Sequence, residues 1–344
     1  MSIRKAVAAR IRWVGELADG VQDLAWSPDG RWLAAAAVSG PISLMACSSG
    51  RSERAWPGHD GGTLKLAWSR DSQRLASGGQ DGYARVWNVS ENTEGQLLPG
   101  GSDWVGGVSF APHADWLVTA AGKELRAWNR AGQPLHHSKP HTSTITDLAW
   151  HPRQPLLASS AFGKVHLWDW RSPEVPPEQS LWHPSSLLNA RWSPDGRYLA
   201  CGCQDNSLRC WTWPDAENFQ MSGYASKLTA LAWDSASRWL ATADRDIVTL
   251  WDFEQGPPMG GTPLNLEGPS DAVRDLAFQN GSQWLAAGDR SGQLVIWNLT
   301  AHGGQLLWQG ILRGGFQRLA WHPQQRLLAV GGEDGSVTVF EFAA

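Results

Sequence analysis

"LAWSPDGRWLAAA", Leu24 to Ala36, carries no reactive group, yet the chain returns to it. "RWSPDGRYLACG" stands at Arg191 to Gly202 and "LAWDSASRWLATA" at Leu231 to Ala243. The aromatic that ends the "LAW" phrase recurs at Trp26, Trp68, Phe110, Trp150, Trp192, Trp233, Phe278 and Trp321. Successive anchors lie 40 to 45 residues apart, and eight such units account for all 344 residues. Self-similarity at a fixed period means that one supersecondary unit is stacked repeatedly, with each copy burying its neighbour.

Every unit has the same parts. A short apolar strand ends at the anchor, and a turn such as "SPDG" at Ser27, "SRDS" at Ser69 or "HPRQ" at His151 follows. Proline presets one backbone angle of such a turn and glycine relieves another. A second strand follows ("RWLAAA", "RLASGG", "YLACGC"), then a tight turn, often Asp-Gly, and a third strand ending in tryptophan, as in "YARVWN" at Tyr83. A more polar fourth strand closes the unit, as in "GQLLPG" at Gly95. Turn signals every 8 to 12 residues between short strands predict an all-β protein. Apolar residues occupy both parities of the first two strands, as in strands buried on both faces. Sheets set radially have that burial: tryptophan fills one gap, and small alanines and glycines admit the next sheet.

The stretch "GHDGGTLKLAWSRDSQRLASGGQDGYARVWN", Gly58 to Asn88, resembles the WD40 repeat of β-propellers, and the likeness runs through essentially the whole chain. The resemblance implies a hydrogen-bonded tetrad in each blade, fully matched only in the second repeat by His59, Ser77, Asp81 and Trp87. The fifth repeat has His183, Cys201, Asp205 and Trp211, with a thiol in place of the hydroxyl; the fourth keeps His141, Ser159 and Trp168 without the aspartate. Met45 and Phe340 replace the third-strand tryptophan of the first and last repeats. Hydrophobic packing is expected to stand in for the tetrad in most blades.

Eight blades are expected rather than the family's usual seven. The last repeat ends at "VTVFEF", Val337 to Phe342, without a fourth strand, while "ARIRWVGEL", Ala9 to Leu17, precedes the first unit. Pairing the two would remove an open edge. The expected architecture is therefore a single eight-bladed β-propeller of four-stranded blades over residues 1–344, with a closing strand at about 9–17. The repeats span about 18–61, 62–103, 104–142, 143–184, 185–224, 225–268, 269–312 and 313–342.

Composition limits the function. With 29 basic and 33 acidic residues the net charge is −4, which provides no general field for a polyanion such as nucleic acid. The basic opening "MSIRKAVAARIRW" has no signal-peptide h-region, no apolar run reaches the ~20 residues that span a bilayer, and four cysteines make no disulfide framework. A soluble, monomeric protein of the cytoplasm is expected, without membrane attachment or cofactor. No phosphate-binding loop, nucleophile elbow, HExxH or CxxC occurs, and the serine, histidine and aspartate of the second repeat sit at tetrad positions, so no enzyme is expected. A metal-handling alternative rests on His183, Cys201, Cys203 and Asp205 in blade five, residue types that zinc accepts. "HHSKPH", His136 to His141, is a weaker cluster of the same kind.

In such a propeller the variable face, here called the top, bears the loops that lead into the first strand and out of the second. Three residues before each anchor stand Asp23, Lys65, Gly107, Asp147, Asn189, Ala230, Asp275 and Arg318; twelve after stand Val38, Gln80, Gly122, Phe162, Gln204, Arg245, Arg290 and Glu333. These positions vary while the framework repeats, as a site grafted on a scaffold does. Lys227, Arg245, Arg274, Arg290, Arg313 and Arg318 gather in blades six to eight, a sector suited to an acidic or phosphorylated segment unless Asp23, Asp246, Asp271 and Asp275 neutralise it. Trp104 and Phe162 offer aromatic anchors. The expected function is a non-catalytic scaffold or adaptor binding a protein or peptide on the top face, through Asp23, Lys65, Trp104, Asp147, Phe162, Lys227, Arg245, Asp275, Arg290 and Arg318. The tryptophans at Trp13, Trp56, Trp182 and Trp308 are expected to seal the perimeter.

Overall fold

The phrase around Trp26 folds as a self-locking corner. Ser27 Oγ donates to Asp29 at 2.6 Å, Asp29 accepts the Arg31 amide and its Nε, and the Trp32 amide donates back to Ser27 Oγ. Ser193, Asp195 and Arg197 repeat the arrangement. Burial raises the Asp29 pKa, but the hydrogen bonds from Ser27 and Arg31 outweigh it and hold the carboxyl below its ordinary value. Each corner also clasps the next: His322 Nε2 donates to Gly30 O, His151 Nε2 donates to Gly196 O, and the Asp29 amide donates to Ser72 Oγ. Gly30 is required twice over, by its φ of +73° and by His322, whose ring would lie 2.3 Å from any Cβ there.

The structure, a computed structural model, describes residues 7–91, 94–171, 179–301 and 303–343; the first six residues of the basic opening lie outside them. Each repeat becomes one antiparallel sheet, as in blade one: Val21–Trp26, Trp32–Ala37, Ile42–Ala46 and Ser52–Trp56, in that order outward from the axis. Among the described residues there are eight such sheets in a ring and no helix. In blade four the second and third strands join through Phe162 and Gly163 as one unbroken stretch, Leu156–Asp169. Blade eight consists of Arg318–Trp321, Leu327–Gly331 and Ser336–Phe342, completed by Ala9–Glu16. Ala9 faces Phe342 and Glu16 faces Ser336, so the N-terminal strand closes the ring.

The core is a set of eight seams rather than one centre. Each seam draws on two adjacent blades: Ala34, Ala36, Ile42 and Leu44 of blade one meet Leu66, Leu75 and Trp87 of blade two. On its other side blade one gives Leu33, Ala35 and Met45 to Leu327, Val337 and Val339 of blade eight. Alternate alanines of one strand thus enter different seams, which explains apolar residues at both parities. The anchor indoles stitch the seams. Trp68 Nε1 donates to Ala25 O, Trp192 Nε1 to Ala149 O, Trp321 Nε1 to Ala277 O, and Trp26 Nε1 to Ala320 O across the closure.

The second blade forms the full tetrad: His59 Nδ1 lies 2.9 Å from Asp81, its Nε2 lies 2.7 Å from Ser77 Oγ, and Trp87 Nε1 donates to Ser77. Packing is expected to replace the network in most blades; two further blades keep it in part through other partners. In blade four His141 and Trp168 both reach Ser159, and the Lys123 carbonyl takes the aspartate's place at 3.0 Å from His141 Nδ1. In blade six Tyr224 serves where histidine would: Trp251 Nε1 donates to its hydroxyl, which pairs with Thr242. A buried polar atom needs a partner more than it needs a particular residue type. On the perimeter Trp13 and Trp56 are buried, whereas Trp182 is 69% exposed and seals nothing.

Candidate functional site

The innermost strands bring Asp23, Asp147 and Asp275 to the axis, where each carboxylate accepts an amide of the next blade: Leu66, Ala190 and Leu319 respectively. These aspartates are bridges between blades. Arg191 Nη1 donates to Asp147 Oδ2 at 2.5 Å, and Lys65 and Arg318 lie 3.5 and 3.8 Å from Asp23. Burial raises the Asp275 pKa, partly offset by the Leu319 amide and Arg318; the Asp147 charge raises that of Arg191. The axis is therefore lined by compensated charge. Arg191 was missed in the sequence, although the residue before every other anchor is alanine or serine. A charged side chain at a position otherwise kept small was the available signal.

On the top face the basic sector divides. Arg290 pairs with Asp271 at 3.3 Å, Arg274 with Glu333 at 3.8 Å, and Arg318 turns toward the axis. Lys227, Arg245 and Arg313 are exposed and form no ion pair among the described residues. The neutralisation weighed from the sequence thus reaches Arg290 and Arg318, through Asp271 and Asp23, while Arg274 is met by Glu333 instead. Trp104, leading into Val105–Phe110, is 60% exposed, and Phe162 on the next blade is 55% exposed. Val38, in the loop leaving the second strand of blade one, and Ile247, the first residue of the third strand of blade six, are also exposed on this face. Ile247 escaped notice because it begins a third strand, Ile247–Asp252, and reads as framework.

The opposite face holds a groove that sequence reading did not anticipate, lined by Arg70, Arg74, Phe110, Pro112, His113 and Arg130. Its charges are largely satisfied within it, since Arg74 and Arg130 both bind Asp115. In blade five His183, Cys203 and Asp205 converge, whereas Cys201, the fourth residue named with them, is not part of the group. The histidines of "HHSKPH" do not converge with acids or thiols in this way: His137 pairs with Glu124, and His141 belongs to the blade-four network.

A family model described as "WD domain, G-beta repeat" matches residues 12–40, 50–88, 132–169, 177–212, 261–298 and 313–341, together more than half of the chain. The chain belongs to the WD40 repeat family. Among its WD40 relatives, THO complex subunit 3 of Arabidopsis thaliana is 24% identical over 326 residues, covering 82% of this chain and 90% of that protein. The B-type cell cycle switch protein ccs52B of Medicago truncatula is 28% identical over 160 residues, covering 45% of this chain and 33% of its own length. The match therefore takes in about a third of that relative and of the WD repeat-containing protein slp1 of Schizosaccharomyces pombe. The crystal structure of the computationally designed Ika8 protein superposes with a TM-score of 0.80 at 22% identity, covering 95% of this chain and 97% of that one, and shows the same fold. Among the described residues no helix is long and apolar enough to cross a membrane.

Proposed function

We propose that this WD40 propeller is a non-catalytic, monomeric scaffold that seats a partner protein or peptide on its top face. Trp104 and Phe162 are the apolar anchors, and Lys227 and Arg245 receive an acidic or phosphorylated end of the partner. The observation that carries this reading is the exposure of two large aromatics on adjacent blades of one face, where the other exposed aromatics of the described residues are Tyr83 and the perimeter Trp182. Exposed aromatics and arginine are the residue types that dominate protein interfaces. The match to THO complex subunit 3, by its name a part of an assembly, supports the same reading. Four free, buried cysteines fit a reducing setting such as the cytoplasm.

The test is capture of partners from the native cell, comparing the wild-type chain with two variants. Trp104→Ala with Phe162→Ala, and separately Lys227→Glu with Arg245→Glu, are expected to lower capture at least tenfold, about 1.4 kcal/mol or more, with unchanged melting. Arg318 is left intact because it faces Asp23. Full capture by both variants would move the binding surface off this face.

A further inference from the structure

Blade five differs from blade two beside its tetrad as well as in it. Cys203 stands where blade two has Gly79, a point at which even a Cβ would lie 2.2 Å from His59 Cγ. The His183 ring is turned relative to His59: its Nε2 lies 3.2 Å from Asp205 Oδ2 rather than against the residue equivalent to Ser77. The approach is close but misaligned, and neither ring nitrogen of His183 makes a hydrogen bond, although the side chain is 99% buried. A buried imidazole whose Nδ1 has no hydrogen bond and whose Nε2 meets a carboxylate out of line is costly unless something else engages it. The candidate ligand atoms of His183, Cys203 and Asp205 all lie within 4.8 Å of one another.

From this convergence we infer that His183, Cys203 and Asp205 form a binding site for a thiophilic divalent cation of the zinc class, between the outer strand of blade four and the turn of blade five. Tetrahedral zinc takes sulfur at ~2.3 Å and nitrogen or oxygen at ~2.0 Å, so its ligand atoms sit about 3.3–3.6 Å apart. The His183–Asp205 pair, at 3.2 Å, is close to that spacing, and closing the Cys203 thiol on it requires a shift of about 1.3 Å at most. Thiolate and carboxylate together neutralise the ion. The charge of Arg209 bears on His183, and its guanidinium nitrogens are engaged by Asn218 and Gln220 at 3.0 and 2.9 Å. Asp205, 39% exposed at the top face, gives the ion a way in. Three protein ligands leave a fourth position for water. A free thiol is protonated near neutral pH and zinc takes the thiolate, so one proton per ion is released on binding.

The experiment uses full-length protein without an affinity tag, stripped with chelator and titrated with zinc, and with cobalt(II) as a spectroscopic probe. One equivalent is expected to bind, with a cobalt–thiolate charge-transfer band and release of one proton. Cys203→Ser should abolish the band and weaken zinc at least tenfold, as should Asp205→Asn, which changes an exposed side chain and leaves the fold intact. Cys201→Ser should retain both signals. Failure of the wild-type chain to take up stoichiometric metal, or an undiminished thiolate band in Cys203→Ser, overturns the site. If Cys203→Ser does not fold, Asp205→Asn decides, and unchanged zinc affinity there also overturns it.

Discussion

At the scale of single residues, the repeated phrase is a set of solutions to local problems. Serine and aspartate lock the corner, the indole reaches back to the preceding blade, and the alanines let two sheets approach from either side. Seam residues should tolerate truncation poorly because neighbouring sheets cannot collapse independently. Leu75, fully buried between blades one and two, tests this. Leu75→Ala is expected to lower unfolding stability by about 2–5 kcal/mol, measured by denaturant titration. A loss under 1 kcal/mol would mean that the seam relaxes freely. These roles were legible in the sequence because their parts recur from repeat to repeat, the serine–aspartate lock at Ser27, Ser69 and Ser193. Arg191 and Tyr224 were less so, since each occurs once and departs from the pattern that made the rest readable.

Within single elements, the histidine chemistry lies in the loops and turns that hold His59, His141, His151 and His322 and on the strand that holds His166. His141 and His166 meet with ring centroids 4.6 Å apart in blade four. Burial first, then the charges of His141 and Lys164, lower the His166 pKa from 6.5 to about 4. Burial likewise lowers His59, His141, His151 and His322. The unfolded chain therefore binds more protons than the native one between about pH 4 and 6.5. Their contribution is fully present above pH 6.5 and is lost as pH falls through the native values. Melting temperature is expected to drop between pH 7 and 5, and His166→Gln should flatten the drop. An identical slope in that variant would remove His166 from the account. Strand order and the second-blade tetrad were readable from spacing. The substitutes for the tetrad were not, because a backbone carbonyl such as that of Lys123 leaves no mark in the sequence.

For the whole molecule, closure is the property on which everything else depends. A ring has no terminal seam, so both faces of every inner strand stay buried and the top-face loops are held at fixed spacing. Closure was legible because the last repeat lacked a strand and the chain's start supplied one. The site was only partly legible: exposed Trp104 and Phe162 could be named, whereas the pairing of Arg274, Arg290 and Arg318 depends on which acids the fold brings near them. The ring is joined by Ala9–Glu16 along Ser336–Phe342, by Trp13 Nε1 donating to Cys47 O, and by Arg10 and Arg12 meeting Glu341. Removing residues 1–17 leaves that edge and the seam around Trp13 open. Sedimentation of the truncated chain beside the full-length chain, with melting curves for both, tests closure most directly. The account predicts association or aggregation of the truncated chain and a clearly lower melting temperature. A truncated chain that stays monomeric and melts with the full-length one would contradict it.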